Sequence, residues 1–385
     1  MEKSNLKHSI LSAAVVASAV GFTFYNVMPL YLGTLMEDKS FSYPQIGYVA
    51  SAFFLGVNVM SALSFFWIRI VPPRISAFIA LLVLSLFLLL GTFFSTYSII
   101  FIMTVVVGLA SGVLASLAAT IIGDTKDATR WFGIKTAAES AAGVILLFLL
   151  PVTLISYYGF NGVVYGMLLF IVLLSPVFFF LPNSRLIIDD EVSFSEDKEL
   201  KEKKSSLAVW LCLMAFVFNF TCGAGIWAFT ERIASANQFE PAVVGVLLGV
   251  TLAFGVIGPL ISGSIGDKFG KRVPYVIALI LMLLGIIGIT SSDQFYVFAI
   301  GACLSMLGWA GSLPFLFSMV ASTDPDGRHI VFAPTSVGVG SMVGPALAGN
   351  IYSGESTLLL LLMCVVGLTL SAFCGLKGGG LVENN

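Results

Sequence analysis

Charge is what this chain has least of. Only 10% of its residues are Asp, Glu, Lys or Arg, against about 25% in an ordinary soluble domain. With 58% hydrophobic residues and a mean hydropathy of +1.01, lipid must be the solvent for most of the chain. Histidine is nearly missing: His8 and His329 are the only two, and neither has a ligand neighbour, which excludes a zinc cluster. Five cysteines (Cys212, Cys222, Cys303, Cys364, Cys374) lie scattered in apolar segments without C-x-x-C spacing. They read as small packing hydrophobes and not as a disulfide framework. A net charge of −2 and the lack of a basic run with interleaved aromatics exclude nucleic acid as a partner. There is no G-x-x-x-x-G-K-[ST] nucleotide loop, no H-E-x-x-H, and no His/Ser/Asp set at membrane depth. An enzyme is therefore not expected, nor a metal, nor any cofactor.

What the chain has instead is long, continuous apolar runs. A helix crosses the hydrocarbon in about 20 residues, and lipid permits only helices or closed barrels. Runs that do not alternate predict helices, so the fold class is an all-α polytopic membrane protein. Twelve spans are expected, at 9–35, 44–68, 74–93, 97–122, 129–155, 160–181, 206–233, 241–265, 271–291, 294–320, 329–352 and 355–376. Ala17-Ser18-Ala19 has the look of a signal-peptidase site, but apolar character continues to Leu35. An uncleaved first transmembrane helix is the expectation.

Basic residues orient the chain. Lys3, Lys7, Arg69, Arg74, Lys126, Arg130, Arg185 through Lys204, Lys268 through Arg272, and Arg328 fall on one side; Lys39 and Arg232 fall on the other. The positive-inside rule then puts both termini in the cytoplasm, in a cell inner or plasma membrane. The polar stretch 183–205 reads as a cytoplasmic linker between an N-terminal six-helix bundle, 1–182, and a C-terminal one, 206–385. The halves repeat one another. Phe22-Thr23 recurs as Phe220-Thr221, Arg74 as Arg272 and Arg130 as Arg328, all at an offset of 198 residues.

Between the eighth and ninth runs stands Gly263-Ser-Ile-Gly-Asp267-Lys-Phe-Gly270-Lys-Arg272. Gly263, Asp267, Gly270 and Arg272 match the G-x-x-x-D-R-x-G-R-R signature, with Lys268 and Lys271 in place of arginines. On these residues, and across essentially its whole length, the chain resembles the twelve-helix type of the major facilitator superfamily of secondary transporters. The resemblance implies two pseudo-symmetric six-helix bundles. It also implies a cytoplasmic gate latched by this loop, with Asp267 facing the amino end of the eleventh helix near Arg328 and His329. Physically, Gly266 and Gly270 suit a tight turn, and a carboxylate is favoured at a positive helix end. A topogenic loop with no gating role is the alternative. In the first half Asp267 maps to Arg69 and Gly270 to Pro72; the acid that such a latch uses is missing there.

Lys135 and Glu139 in the fifth span are the most unusual residues. Counted from Asp127 at about 1.5 Å per residue they lie roughly 12 and 18 Å deep, where ionisable groups normally face a bundle interior or watery cavity. Their i, i+4 spacing puts them on one helix face. They could bind a zwitterionic or anionic solute, Glu139 could carry a coupling proton, or the two could simply neutralise each other. Ala137, Ala138, Ala141, Ala142 and Gly143 around them give a small-residue face for close packing.

In the first and seventh spans, which the resemblance implies line a central cavity, Tyr25, Asn26, Pro29 and Tyr31 are matched by Asn219, Thr221, Trp227 and Thr230. Asn26 and Asn219 require hydrogen-bond partners, from a substrate, a cavity water or a neighbouring helix. Trp227 and Trp309 suit cavity walls or interface anchors. Glu231 and Arg232 read as solvated helix-end charges, or else as an outer gate. Gly108/Gly112, Gly245/Gly249 and Gly340/Gly344 have G-x-x-x-G spacing for close helix contact. Gly344-Pro345 lies in the eleventh span, not where the family's antiporter motif belongs, and Gly108 stands where drug/proton antiporters carry a membrane arginine. Both departures weaken the efflux reading.

The expected function is a monomeric secondary transporter of a small organic solute by alternating access, with a proton as candidate coupling ion and the bilayer as its environment. A drug-efflux antiporter, or a solute receptor that does not translocate, are the alternatives.

Overall fold

A computed structural model describes residues 2–125, 128–184, 206–265, 270–291, 293–323, 332–354 and 356–383. Most of the polar stretch 183–205, with Asp267, Arg328 and His329, therefore lies outside the described residues.

Among the described residues the regular structure is entirely helical. The chain forms α1 (Glu2–Gly21), α2 (Thr23–Lys39), α3 (Tyr43–Trp67), α4 (Pro73–Phe93), α5 (Tyr97–Gly123), α6 (Ala128–Leu150) and α7 (Ser156–Leu174). It continues with α8 (Ser206–Ala236), α9 (Pro241–Ile265), α10 (Arg272–Ser291), α11 (Phe295–Thr323), α12 (Ala333–Ile351) and α13 (Leu358–Glu383). The outward side chains are apolar where lipid would lie: Leu82 and Leu173 are each 67% exposed. Serines and threonines inside the helices mostly return their hydroxyl protons to their own backbone, as Thr23 does to Ala19 and Thr104 to Ile100. Lipid thus meets few unsatisfied polar groups.

The expected spans need three adjustments. The first expected helix is split at Phe22, whose ψ of 1° separates α1 from α2. The fifth and sixth expected spans run on helically from Arg130 to Phe180, through a π-helical turn at Pro151–Ile155. They are broken at Gly159, whose φ of 52° and ψ of −129° no other residue type adopts easily. Among the described residues ten helices are long and apolar enough to cross a membrane, counting that 51-residue stretch once. The eleventh expected span, α12, falls short on hydropathy. Its Gly338, Gly340, Gly344 and Gly349 make it thin and close-packed, not greasy.

The two-fold repeat is visible in the helix bounds. Adding 198 to both ends of α3 gives both ends of α9; the same shift carries α4 and α5 onto α10 and α11 to within two residues. The helices cluster into two compact units, Met1–Ile188 with Gln238–Ala253, and Asp189–Asn237 with Phe254–Asn385. In the first, α3 packs on α5, and α1 on α5 and α6; in the second, α12 and α13 pack on α8, and α10 on α11.

Glycines make these contacts possible. A Cβ at Gly108 would collide with the carbonyl of Phe53, one at Gly112 would stand 2.8 Å from Val57 O, and one at Gly344 would strike Thr221 O. At Gly245 and Gly249 it would meet Pro151 and Phe148. All three G-x-x-x-G pairs are thus contact faces.

Candidate functional site

In the first unit, Lys135 and Glu139 sit one turn apart on α6, with Nζ and Oε1 2.7 Å from each other and side chains only 15% and 14% exposed. Helical periodicity makes this pair, but α1 and α2 complete it. Ser18 Oγ donates to the same Glu139 oxygen, and Asn26 Nδ2 donates to the Glu139 backbone carbonyl at 2.7 Å. Lys135 Nζ also lies 5.4 Å from the centroid of the Phe22 ring, a cation–π contact. Gly143 lets α2 come this close, since a Cβ there would be 2.7 Å from Asn26 Cβ. Tyr25, half-buried, holds its ring edge-on to Phe22 and Phe54 at 6.2 and 5.8 Å. The cluster is a charge-neutral knot in which one carboxylate accepts from an ammonium and a hydroxyl. Sequence spacing gives Lys135 with Glu139; it gives no sign of Ser18, an ordinary small residue in an apolar run.

In the second unit, Asn219 on α8 is fully buried and donates Nδ2 to Ser312 Oγ on α11 at 2.7 Å. Ser312 in turn donates to Trp309 O, also at 2.7 Å. Trp309 packs edge-on to Phe220 at 5.4 Å, against Gly223, one turn beyond Asn219; a Cβ there would overlap the indole. Asn219 Oδ1 and Trp309 Nε1 are buried without a hydrogen-bond partner. Each such group costs about 1–3 kcal/mol, so α8 offers one buried acceptor, on Asn219, and α11 one buried donor, on Trp309. Trp227 is 2% and Trp309 6% exposed, which rules out an interface-anchor role for either. Thr221 and Thr230 bond to their own helix at Val217 O and Ile226 O.

Glu231 and Arg232 are not solvated helix-end charges. The helix continues another turn to Ala236; Arg232 is buried and Glu231 half-buried, with side chains 6% and 13% exposed and Nε to Oε2 at 2.5 Å.

Around the signature loop, Gly263 is exposed in the last turn of α9, and Arg130 is exposed near the start of α6. Gly270 has a φ of 70°, the left-handed turn that glycine permits. Arg272 donates Nη2 to Gly379 O at 2.7 Å and Lys271 donates to Ser318 O at 3.2 Å. The first half replaces the missing acid differently: Arg69 donates Nη1 and Nη2 to the two carboxylate oxygens of Asp124, at the end of α5, at 2.7 and 2.8 Å. That hydrogen bond raises the Arg69 pKa still further.

Long apolar helices in a repeated arrangement, with hydrocarbon side chains outward, mark a multi-pass membrane protein. The sequence profile of the Major Facilitator Superfamily matches residues 13–231 and 209–377. The chain belongs to that superfamily. It is 28% identical to Hexose transporter 2 of Kluyveromyces lactis over 163 residues, 38% of this chain and 28% of that protein. It is 22% identical to Probable polyol transporter 6 of Arabidopsis thaliana over 160 residues, 40% of this chain and 32% of that one. The match therefore spans less than two thirds of either relative. Among solved structures, the nucleoside transporter NupG aligns with a TM-score of 0.71 at 14% identity, covering 97% of this chain and 99% of that one. An inward-facing bacterial homologue of Spinster aligns at 0.70 and 14%, covering 98% of both. At that identity the likeness is one of fold.

Proposed function

We propose that the chain is a secondary transporter of a small, neutral, hydroxyl-bearing solute, moved by alternating access between bundles 1–182 and 206–385 with a proton as coupling ion. The observation that carries the solute class is the unpartnered acceptor on Asn219 of α8 together with the unpartnered donor on Trp309 of α11, two helices that pack on each other. A hydroxyl group donates to one and accepts from the other, which a carboxylate or an ammonium does not do. The Lys135–Glu139 pair supports a neutral cargo too, because it leaves no net charge for an ionic solute to match. Relatives named for hexose and polyol transport agree with that chemistry. Glu139 is the coupling group in this reading: protonation releases Lys135 from its ion pair, a local change that a rocking bundle can use. Lys135, Ser18, Tyr25 and Asn26 position it. Asn219, Trp309 and Trp227 form the solute side. Arg130, Arg272, Arg328, Gly263, Asp267 and Gly270 belong to the gate on the basic face.

The test is uptake by purified protein in liposomes of radiolabelled hexose, polyol and nucleoside, with and without an imposed pH gradient. One solute is expected to accumulate with the gradient, with Asn219→Leu and Trp309→Phe each raising its KM about five- to ten-fold. Binding without uptake would point to a receptor, and selective uptake of organic ions would sink the neutral-solute reading.

A further inference from the structure

Two apolar grooves on the outer surface, one in each unit, repeat each other at most of the first groove's lining positions. The first is bounded by α3, α4 and α5 and the second by α9, α10 and α11, each with a cavity of about 390 Å³. Trp67, Ile79, Ala80, Val83, Leu109 and Val113 line the first. Shifted by the 198-residue offset, they become Ile265, Ile277, Ala278, Leu281, Leu307 and Gly311, all lining the second. Two concavities that share register in both halves belong to the fold and are not packing accidents. Their volumes fall in the range of ligand-sized clefts, yet their walls are almost wholly hydrocarbon.

Each groove ends at the basic turn of its half. Arg69 and Arg74 flank Val71 at the end of the first; Lys271 and Arg272 precede Val273 at the end of the second. Arg69 is neutralised by Asp124, which leaves Arg74 as the net charge of the first lip. Arg74 uses Nε on Leu181 O, and a guanidinium has four further donors. The indole Nε1 of Trp67, in the first groove's wall, is buried and has no partner. An apolar slot with a cationic lip and a spare N–H donor matches a fatty-acyl chain joined through an ester to a phosphate.

We propose that the two grooves are paired sites for the acyl chains of anionic glycerophospholipid, drawn from the leaflet that faces the basic turns. The chain fills the slot, the phosphate lies against Arg74 or against Lys271, and in the first groove an ester or phosphate oxygen accepts from Trp67 Nε1. Ile265 stands where Trp67 would be, so the second site lacks that bond and holds its lipid more weakly. Basic pockets between transmembrane helices are suited to such headgroups. This reading does not rest on the proposed solute or on coupling.

Native mass spectrometry of the full chain, released from bilayers of mixed phosphatidylglycerol and phosphatidylcholine, tests it. The wild-type protein is expected to retain two phosphatidylglycerols. Val83→Trp and Leu281→Trp, which fill equivalent points of the two slots, should each remove one, and together both. Trp67→Phe should weaken one site about five-fold and leave the other unchanged. Unchanged stoichiometry in the double variant, or equal retention of phosphatidylcholine, would overturn the proposal. A phosphatidylglycerol with a photoactivatable acyl chain gives a readout on the unaltered sequence. Crosslinks should fall on α3–α5 and α9–α11; crosslinks spread evenly over the lipid-facing helices would overturn it equally.

Discussion

Arg272 donates Nη2 to the carbonyl of Gly379 at 2.7 Å, and Arg74 donates Nε to the carbonyl of Leu181 at 2.9 Å, each across 107 residues of sequence. The arginines are 198 residues apart, and so are the carbonyls they hold. In each half the first turn of the third span is thereby tied to the end of the sixth, by a cation placed where a helix leaves carbonyls without partners. Gly379 and Gly380 let the guanidinium lie along α13, since a Cβ at either would stand 3.4 Å from it. A charge-assisted bond of this kind contributes about 1.5–3 kcal/mol. Arg74→Ala and Arg272→Ala should each lower unfolding stability by about that amount in detergent. Because they act in separate units their effects should add; strong non-additivity in chemical unfolding would show that the ties are not independent.

Asp38 and Lys39 staple the opposite end of the first unit. Asp38 Oδ2 accepts from the backbone N–H of Phe160 at 2.5 Å, just past the break at Gly159. Lys39 Nζ donates to Phe94 O at 2.5 Å and Gly91 O at 3.3 Å, at the end of α4. Neighbouring residues thus serve a helix start with an anion and a helix end with a cation. Gly159 permits this twice, by its positive φ and because a Cβ there would collide with the Asp38 carboxylate. Gly159→Ala is expected to cost about 1–3 kcal/mol. Asp38→Ala alone should cost about 1 kcal/mol, as for a lost cap. In the double variant the sum should not be reached, because the collision has gone. Additive losses in melting experiments would deny that the carboxylate is what the glycine accommodates.

Much of this architecture is legible in one sequence because lipid imposes a coarse code. Span length and an offset shared by Arg74/Arg272 and Phe22/Phe220 are properties of single residues and their spacing. Lys135 and Glu139 are legible for the same reason, since i, i+4 neighbours meet without knowledge of the fold. Ser18, Asp38 and Asp124 are not, because their partners lie 121, 122 and 55 residues away and none of the three looks unusual where it stands. Arg232 misleads for a related reason: a charge near an expected helix end reads as solvated until the helix proves one turn longer. Helix α12 shows the converse, where glycines that lower hydropathy mark close packing.

The glycines supply a graded test of that packing. A Cβ at Gly108 or Gly344 would run into backbone carbonyls of the facing helix, whereas one at Gly133 would find nothing within 4 Å. Gly→Ala at the first two positions should force helices apart, lowering thermal stability by about 1–3 kcal/mol as overpacking does. The same change at Gly133 should be neutral or slightly stabilising, because alanine is the better helix former. Equal effects at all three positions would mean that the G-x-x-x-G spacing is incidental.

Lys135 and Glu139 separate coupling from stability through a double-mutant cycle. Lys135→Met leaves a buried carboxylate held only by Ser18, and breaking one side of a buried ion pair costs about 3–5 kcal/mol. Glu139→Gln strands the ammonium in the same way, although the amide can still accept from Ser18 Oγ. The double variant removes both charges, so its stability should return to within about 1 kcal/mol of the parent; a purely structural pair predicts nothing further. If Glu139 carries the proton, the double variant will be stable, will still exchange solute across a bilayer, and will have lost accumulation driven by a pH gradient. Gradient-driven uptake that survives in this stable variant would remove Glu139 from coupling and leave the pair as a neutral brace between α6 and α1.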